Sequence, residues 1–225
     1  MRAPAPWQLR GRAWLCALEL PERVRVDQGG APEVLGRPGG RLSYLMFVDY
    51  QMSPVGPYRE LLLIPGHYRF ADGRRHPSIG RIYVSSQDSV INGQLNWGIP
   101  KDRADFHLSR GEHEDRVELS GDDGRVFARL AFRHRGPGLP LPGGLIPAKQ
   151  RTLGQYRDGQ TFLYSPAASG SVHYARLEQG WADGIHFPEI QQGRMRACAY
   201  LSHFDMKFPQ ARVLDASGQS ITPAP

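Results

Sequence analysis

Lys101 is one of only three lysines in a chain that otherwise carries its positive charge on arginine; the others are Lys149 and Lys207. A guanidinium stays protonated, whereas an amine can shed its proton and attack a carbonyl carbon. Lys101 directly follows Gly98-Ile99-Pro100, with Trp97 and Phe106 nearby in sequence. Apolar neighbours desolvate an amine and so disfavour its ammonium form. A neutral amine there can form a Schiff base with a ketone or aldehyde, and the protonated imine then acts as an electron sink. The plainer reading is a solvated lysine in a loop that follows a helix.

Glu60 is the second residue out of keeping with its surroundings. It lies in Gly56-Pro57-Tyr58-Arg59-Glu60 and runs straight into Leu61-Leu62-Leu63-Ile64. A strand alternates its faces, so Glu60 shares a face with Tyr58, Leu62 and Ile64. A carboxylate among aliphatic side chains must be paired, protonated or within reach of solvent at the strand end. Buried, it would orient a substrate or shuttle a proton. The eight histidines show no pair at metal-ligand spacing. No phosphate loop, dinucleotide fingerprint or nucleophile elbow is present, and Ser85-Ser86 has no evident triad partner.

These residues need a scaffold, and the apolar runs supply strands. Arg12 to Leu20, Arg41 to Tyr50 and Tyr58 to Ile64 read as strands, the second buried on much of both faces and the third apolar. Gly80 to Ser85 is another, followed by a short helix capped by Ser85-Ser86 and running to about Leu95. Gly98 and Pro100 stop that helix just before Lys101. Further strands are expected at Ala104 to Leu108, Arg116 to Leu119, Arg125 to Arg133, Thr161 to Tyr164, Ser171 to Leu177 and Met195 to Met206. Ala71 to Arg74 and Gly121 to Gly124 read as hairpin turns. Arg25 to Gly40 reads as a loop, and Gly136 to Gly144 as a Pro/Gly-rich crossover connection. The sum is about nine to twelve short strands with one or two short helices. The fold class is mainly β, an antiparallel barrel or closed sandwich. A single domain over residues 1–225 is expected, with loosely ordered ends at 1–10 and 216–225.

Composition fits this. The chain has 225 residues, enough to bury one full core, and its 26 glycines and 19 prolines suit many turns. The net charge of +6 is spread among acids rather than gathered in a basic arm. That argues against nucleic acid as a partner. No segment has the length of a membrane span, and the start lacks the pattern of a signal peptide, so neither membrane association nor export is expected. A cytoplasmic location follows by default. Cys16 and Cys198 read as buried free thiols, with one disulfide as the alternative.

Several stretches together resemble the acetoacetate decarboxylase family. Gly93-Gln94-Leu95-Asn96-Trp97-Gly98-Ile99-Pro100-Lys101 is similar to the family's lysine segment, and Gly56 to Glu60 to its Gly-Pro-Tyr-x-Glu strand. Pro6-Trp7, Leu9 and Gly11 match its opening. Leu139 to Pro147, and Phe208-Pro209 to Val213-Leu214, follow in the family's order. The resemblance implies a cone-like β-barrel with a closed apolar pocket, and a carbon–carbon lyase in which Lys101 forms a Schiff base with a small keto acid. Glu60 is then the active-site carboxylate, Tyr58, Gln94 and Trp97 are expected substrate contacts, and no metal or organic cofactor is needed, because the lysine imine does a cofactor's work. Related members run aldol-type condensation or dehydration through the same imine, and a non-catalytic ligand-binding member is a further alternative. The family also implies a homo-oligomer. Four positions depart from its pattern. Asp102 stands where a second lysine follows the first. Gln94-Leu95 replaces Arg-Glu. Glu19 stands where an arginine of the first strand would meet a substrate carboxylate. An anion at Asp102 would raise the Lys101 pKa.

Overall fold

The apolar runs become the strands of one ten-stranded sheet and two small ones. The computed structural model describes residues 1–142 and 147–221. Its elements are β1 (Trp7–Glu19), α1 (Glu22–Asp27), β2 (Ser43–Met52), β3 (Tyr58–Ile64), β4 (Gly66–Arg69), β5 (Arg75–Ser78), β6 (Arg81–Val84), α2 (Gln87–Trp97), β7 (Lys101–Arg103), β8 (Asp105–Arg110), β9 (Glu114–Ser120), β10 (Val126–Leu141), α3 (Ala148–Arg151), β11 (Leu153–Arg157), β12 (Gln160–Tyr164), β13 (Ala167–Ala182), β14 (Arg194–Phe208) and β15 (Arg212–Leu214). The large sheet runs β7-β6-β3-β2-β1-β14-β13-β10-β9-β8; β11-β12-β15 and β4-β5 form the small sheets. The protein is mainly β, with a nearly closed, barrel-shaped sheet.

The continuous apolar runs have a simple cause: both faces of the central strands are covered. On one face Trp14, Phe47, Leu61 and Leu63 meet Val117, Leu130 and Phe132 from β9 and β10, where the sheet curls over itself. Trp14 stacks between Phe132 and Tyr200 there, at 4.9 and 4.3 Å between ring centroids. On the other face Leu9, Val48, Tyr50, Tyr58 and Leu62 meet Trp97, Ile99 and Phe162. That second layer is built from α2, the β11–β12–β15 sheet and the β4–β5 hairpin, and it carries the site.

One pairing breaks the antiparallel rule. β6 and β7 run parallel, with Ile82 opposite Lys101. Parallel neighbours need a crossover, and α2 supplies it. Ser86 caps the helix through its hydroxyl, which accepts from the Ser89 N–H. Gly98 ends it in the left-handed region at φ 65°, where a side chain is disfavoured. The chain then turns at Pro100 into β7.

Several expectations are corrected. The lead-in is tied down from Ala3 onward. The Asn92 side-chain oxygen accepts from the Ala3 N–H at 2.7 Å, and the Ala3 carbonyl accepts from both Trp7 and Asn96 at 2.9 Å. β1 accordingly begins at Trp7. At the other end Asp215 accepts from the Ser217 and Gln219 N–H groups, and Ile221 returns to Val213; the remaining expected loose end, 222–225, lies outside the described residues. α1 runs from Glu22 into the first residues of the Arg25 to Gly40 stretch read as a loop. Residues 136–141 of the expected crossover are the end of β10, with 139–141 paired to β13, and 143–144 of the same stretch lie outside the described residues. Cys16 and Cys198 are cross-strand partners on β1 and β14 and form a disulfide, not the expected free thiols. Among the described residues no helix is long and apolar enough to cross a membrane.

Candidate active site

Strand alternation on β7 turns Lys101 inward and Asp102 outward; Arg103, at the strand end, is exposed as well. The lysine side chain crosses α2 at Gly93. A Cβ on Gly93 would lie 2.7 Å from the Lys101 Cδ and 2.8 Å from its Cε, so only glycine leaves the lysine its path. One turn earlier on the same helix face, Ser89 accepts from the Lys101 Nζ at 3.1 Å. Beyond the helix, Nζ reaches the Glu60 Oε2 at 2.7 Å.

Glu60 arrives from β3, two strands away in the sheet. Its neighbours in register are Val48 on β2 and Val84 on β6. Its other oxygen, Oε1, accepts from the Tyr50 hydroxyl at 3.4 Å. Lys101 and Glu60 are each only 4% exposed. A charged pair this deep is costly to break: leaving one partner alone typically costs about 3–5 kcal/mol. The Tyr58 ring lies beneath the amine, 5.2 Å from Nζ to its centroid.

Burial and partners pull the lysine in opposite directions. Burial lowers its pKa, but the Glu60 carboxylate and Tyr58 outweigh burial, and the net direction is upward. Asp102 has no part in this, because it faces away. Burial pushes the Tyr58 phenol up to about 12, against the pull of Lys101. Burial, reinforced by Glu60, pushes Tyr50 well above the ordinary tyrosine value. Both phenols are thus donors at neutral pH. At rest the site holds an ammonium beside a carboxylate, ringed by hydroxyl groups.

The pair opens onto a cavity of about 580 Å3. Tyr50, Tyr58, Glu60, Trp97 and Lys101 all line it. Trp97 is anchored by its indole N–H, which donates to the Pro209 carbonyl at 2.6 Å, and it packs edge-on against Trp7 and Phe208. Gln94 does not line the cavity. Its amide donates to the Lys101 carbonyl at 3.0 Å, so it holds the β7 backbone from α2. Glu19 lies at the end of β1, outside the cavity, paired with Arg41 and Arg196. The β1 residues that do face the cavity are Trp7, Leu9, Ala13 and Leu15. Among the described residues no group of three or more His, Cys, Asp or Glu side chains is placed to hold a metal ion.

Tyr50 and Ser89 belong to the site but do not stand out in the sequence. Tyr50 reads as an apolar strand residue, and only the β2–β3 register, with Tyr50 opposite Tyr58, carries it to Glu60. For Ser89 one signal exists: with Gly93 it places two small residues four apart on one helix face, ahead of the lysine.

No family model matches the chain, and no curated relative matches it. Solved structures do. Acetoacetate decarboxylase from Legionella pneumophila superposes at a TM-score of 0.66 and 14% identity, over 97% of this chain and 89% of that one. The chain has the acetoacetate decarboxylase fold. An acetoacetate decarboxylase-like enzyme from Sphingomonas wittichii RW1 superposes at 0.67 and 13% identity, covering 95% of this chain and 94% of that one. The enduracididine biosynthesis enzyme MppR, solved with the condensation product of pyruvate and imidazole 4-carboxaldehyde, superposes at 0.64 and 14% identity, covering 96% and 91%.

Proposed function

We propose that this protein is a lysine-dependent lyase that forms a Schiff base between Lys101 and a carbonyl substrate, with decarboxylation of a keto acid as its reaction. The observation that carries the reading is a lone buried amine on the wall of a cavity, 2.7 Å from a buried carboxylate. The description of MppR with a condensation product of pyruvate fits a fold that accommodates carbonyl compounds.

The resting ammonium is not a nucleophile, so the first step is a proton transfer. Glu60 is the acceptor in place to take it. A substrate that fills the cavity excludes water and so favours the neutral amine-and-acid pair over the ion pair. The free amine adds to the keto carbon, and water leaves to give the iminium. The bond to the carboxylate breaks, carbon dioxide departs, and its electron pair flows into the iminium to form an enamine. A proton returns to carbon from Glu60 or a tyrosine hydroxyl. Water then hydrolyses the imine, releasing the ketone and the amine.

Borohydride reduction in the presence of acetoacetate or a β-diketone tests this. The expected result is a stable adduct on the peptide carrying Lys101, absent in Lys101→Arg. No adduct with a panel of carbonyl compounds would sink the reading. A second reading has its own support in the upward-shifted lysine, which favours a permanent ion pair. On that reading the protein binds a small ligand without catalysis, and a ligand-induced melting shift survives Lys101→Ala. Aldol or dehydratase chemistry would give the same adduct without release of carbon dioxide. A homo-oligomer completes the proposal, with light scattering giving a multiple of 25.2 kDa as its check.

A further inference from the structure

The cavity is too large and too apolar for a four-carbon keto acid. At about 30 Å3 per heavy atom, the share of one water in the liquid, a seven-atom keto acid takes roughly 200 Å3. That is about a third of the 580 Å3 present. Polar groups are also unevenly placed. The register on β2 and β3 pairs Tyr50 with Tyr58, Val48 with Glu60, Met46 with Leu62 and Tyr44 with Ile64. The cavity wall follows this ladder from the lysine end down to Ile64. At ~3.3 Å per residue, the four steps from Glu60 to Ile64 make about 13 Å of wall. Leu15 on β1, opposite Met46 and Ala199, continues it.

Charge is sparse along this length. His67 lies near the far end, its pKa lowered by burial and by Arg75, and so is neutral at pH 7. Arg151 on α3 lines the wall and donates to the carbonyls of Ser165 and Pro166. The β1–β3 wall presents no cation to a carboxylate. The site therefore joins a polar head, made by Lys101, Glu60, Tyr50 and Tyr58, to a long apolar slot.

We propose that the substrate taken by Lys101 is an amphiphile: a 3-oxo acid whose keto carbon meets the amine and whose alkyl chain, about ten carbons long, lies along β1–β3 toward Ile64 and Leu15. The length follows from ~1.5 Å carbon–carbon bonds zigzagging over about 13 Å. The inference rests on the imine reading above. The substrate carboxylate needs no cationic partner in the slot; held against apolar wall, it loses the hydration that opposes its departure as carbon dioxide. The atom balance is that of the step already written, with a long-chain methyl ketone as product.

The test is borohydride trapping across a homologous series of 3-oxo acids and the matching 2-alkanones, from four to about sixteen carbons. The half-saturating concentration is expected to fall about three- to fourfold per added methylene, levelling off when the alkyl chain beyond the keto carbon reaches about ten carbons. In Ala199→Phe, which fills the slot opposite Leu15, this gain from the longer chain is expected to vanish. An adduct on Lys101 whose half-saturation ignores chain length, or worsens with it, overturns the chain proposal and leaves the imine reading standing. No adduct at any length overturns the imine reading; melting shifts with the same 2-alkanones then decide the slot. A shift that grows with chain length supports an apolar-chain ligand, and none at any length overturns that too.

Discussion

The amine at Lys101 is held by its surroundings in a form that must be undone before it can react. The ammonium is favoured by Glu60 and Tyr58 over the opposing effect of burial. Trapping with a carbonyl compound should therefore speed up as the pH rises toward the raised pKa, since only the neutral amine attacks. Glu60→Gln removes the leading cause of the rise, so the midpoint of the pH–trapping profile is expected to move to lower pH; an unmoved midpoint would show that Glu60 does not set the lysine. Gly93 gives a cleaner separation of fold from chemistry. Alanine there is favourable for a helix interior by about 0.5–1 kcal/mol. Its Cβ would nevertheless collide with the lysine stem at 2.7 Å. Gly93→Ala should hold its melting temperature within a few degrees while the adduct yield drops at least tenfold. Loss of both together would mean that the glycine serves the fold alone.

The elements explain what a linear reading reaches. Lys101 and Glu60 were legible because each contradicts its setting: a lone lysine in an arginine-using chain, a carboxylate in a run of leucines. The long strands were legible from their apolar runs, and α2 from its serine cap and terminal glycine. Tyr50 and Ser89 were not, since their roles depend on register and on the parallel β6–α2–β7 crossover. The end of β10 was misread for a definable reason. Past Arg133, β10 has no partner in β9, so Pro137 and Pro140 sit where no ladder bond is lost on that side. α1 was hidden by its six-residue length between Pro21 and Gly29-Gly30. Gly98 fixes where the lysine strand begins. Its φ of 65° and the 2.7 Å approach of a Cβ to the Phe162 ring both exclude a side chain. Gly98→Ala is expected to cost about 1–3 kcal/mol, read as a lowered denaturation midpoint.

At the scale of the whole molecule, the middle of the large sheet joins strands far apart in sequence. β1 lies between β2 and β14, and the Cys16–Cys198 bond spans 182 residues of sequence. Cross-linking a loop that long restricts the unfolded chain, worth about 2–5 kcal/mol. A reductant, or Cys16→Ala with Cys198→Ala, should therefore lower the melting temperature by several degrees, and an unchanged midpoint would show that the bond adds nothing. The same placement has a consequence for synthesis. Strand β1 leaves the ribosome well before β14, and one edge of it has no partner until β14 emerges. At ~5–20 residues per second, the interval over those 182 residues is about 10–35 s. Throughout it a tryptophan-bearing strand with an open edge stands in the middle of a half-made sheet, a template for any extended chain nearby. The nascent protein thus depends on protection during translation more than its finished form suggests, and β14 seals the open edge when it arrives.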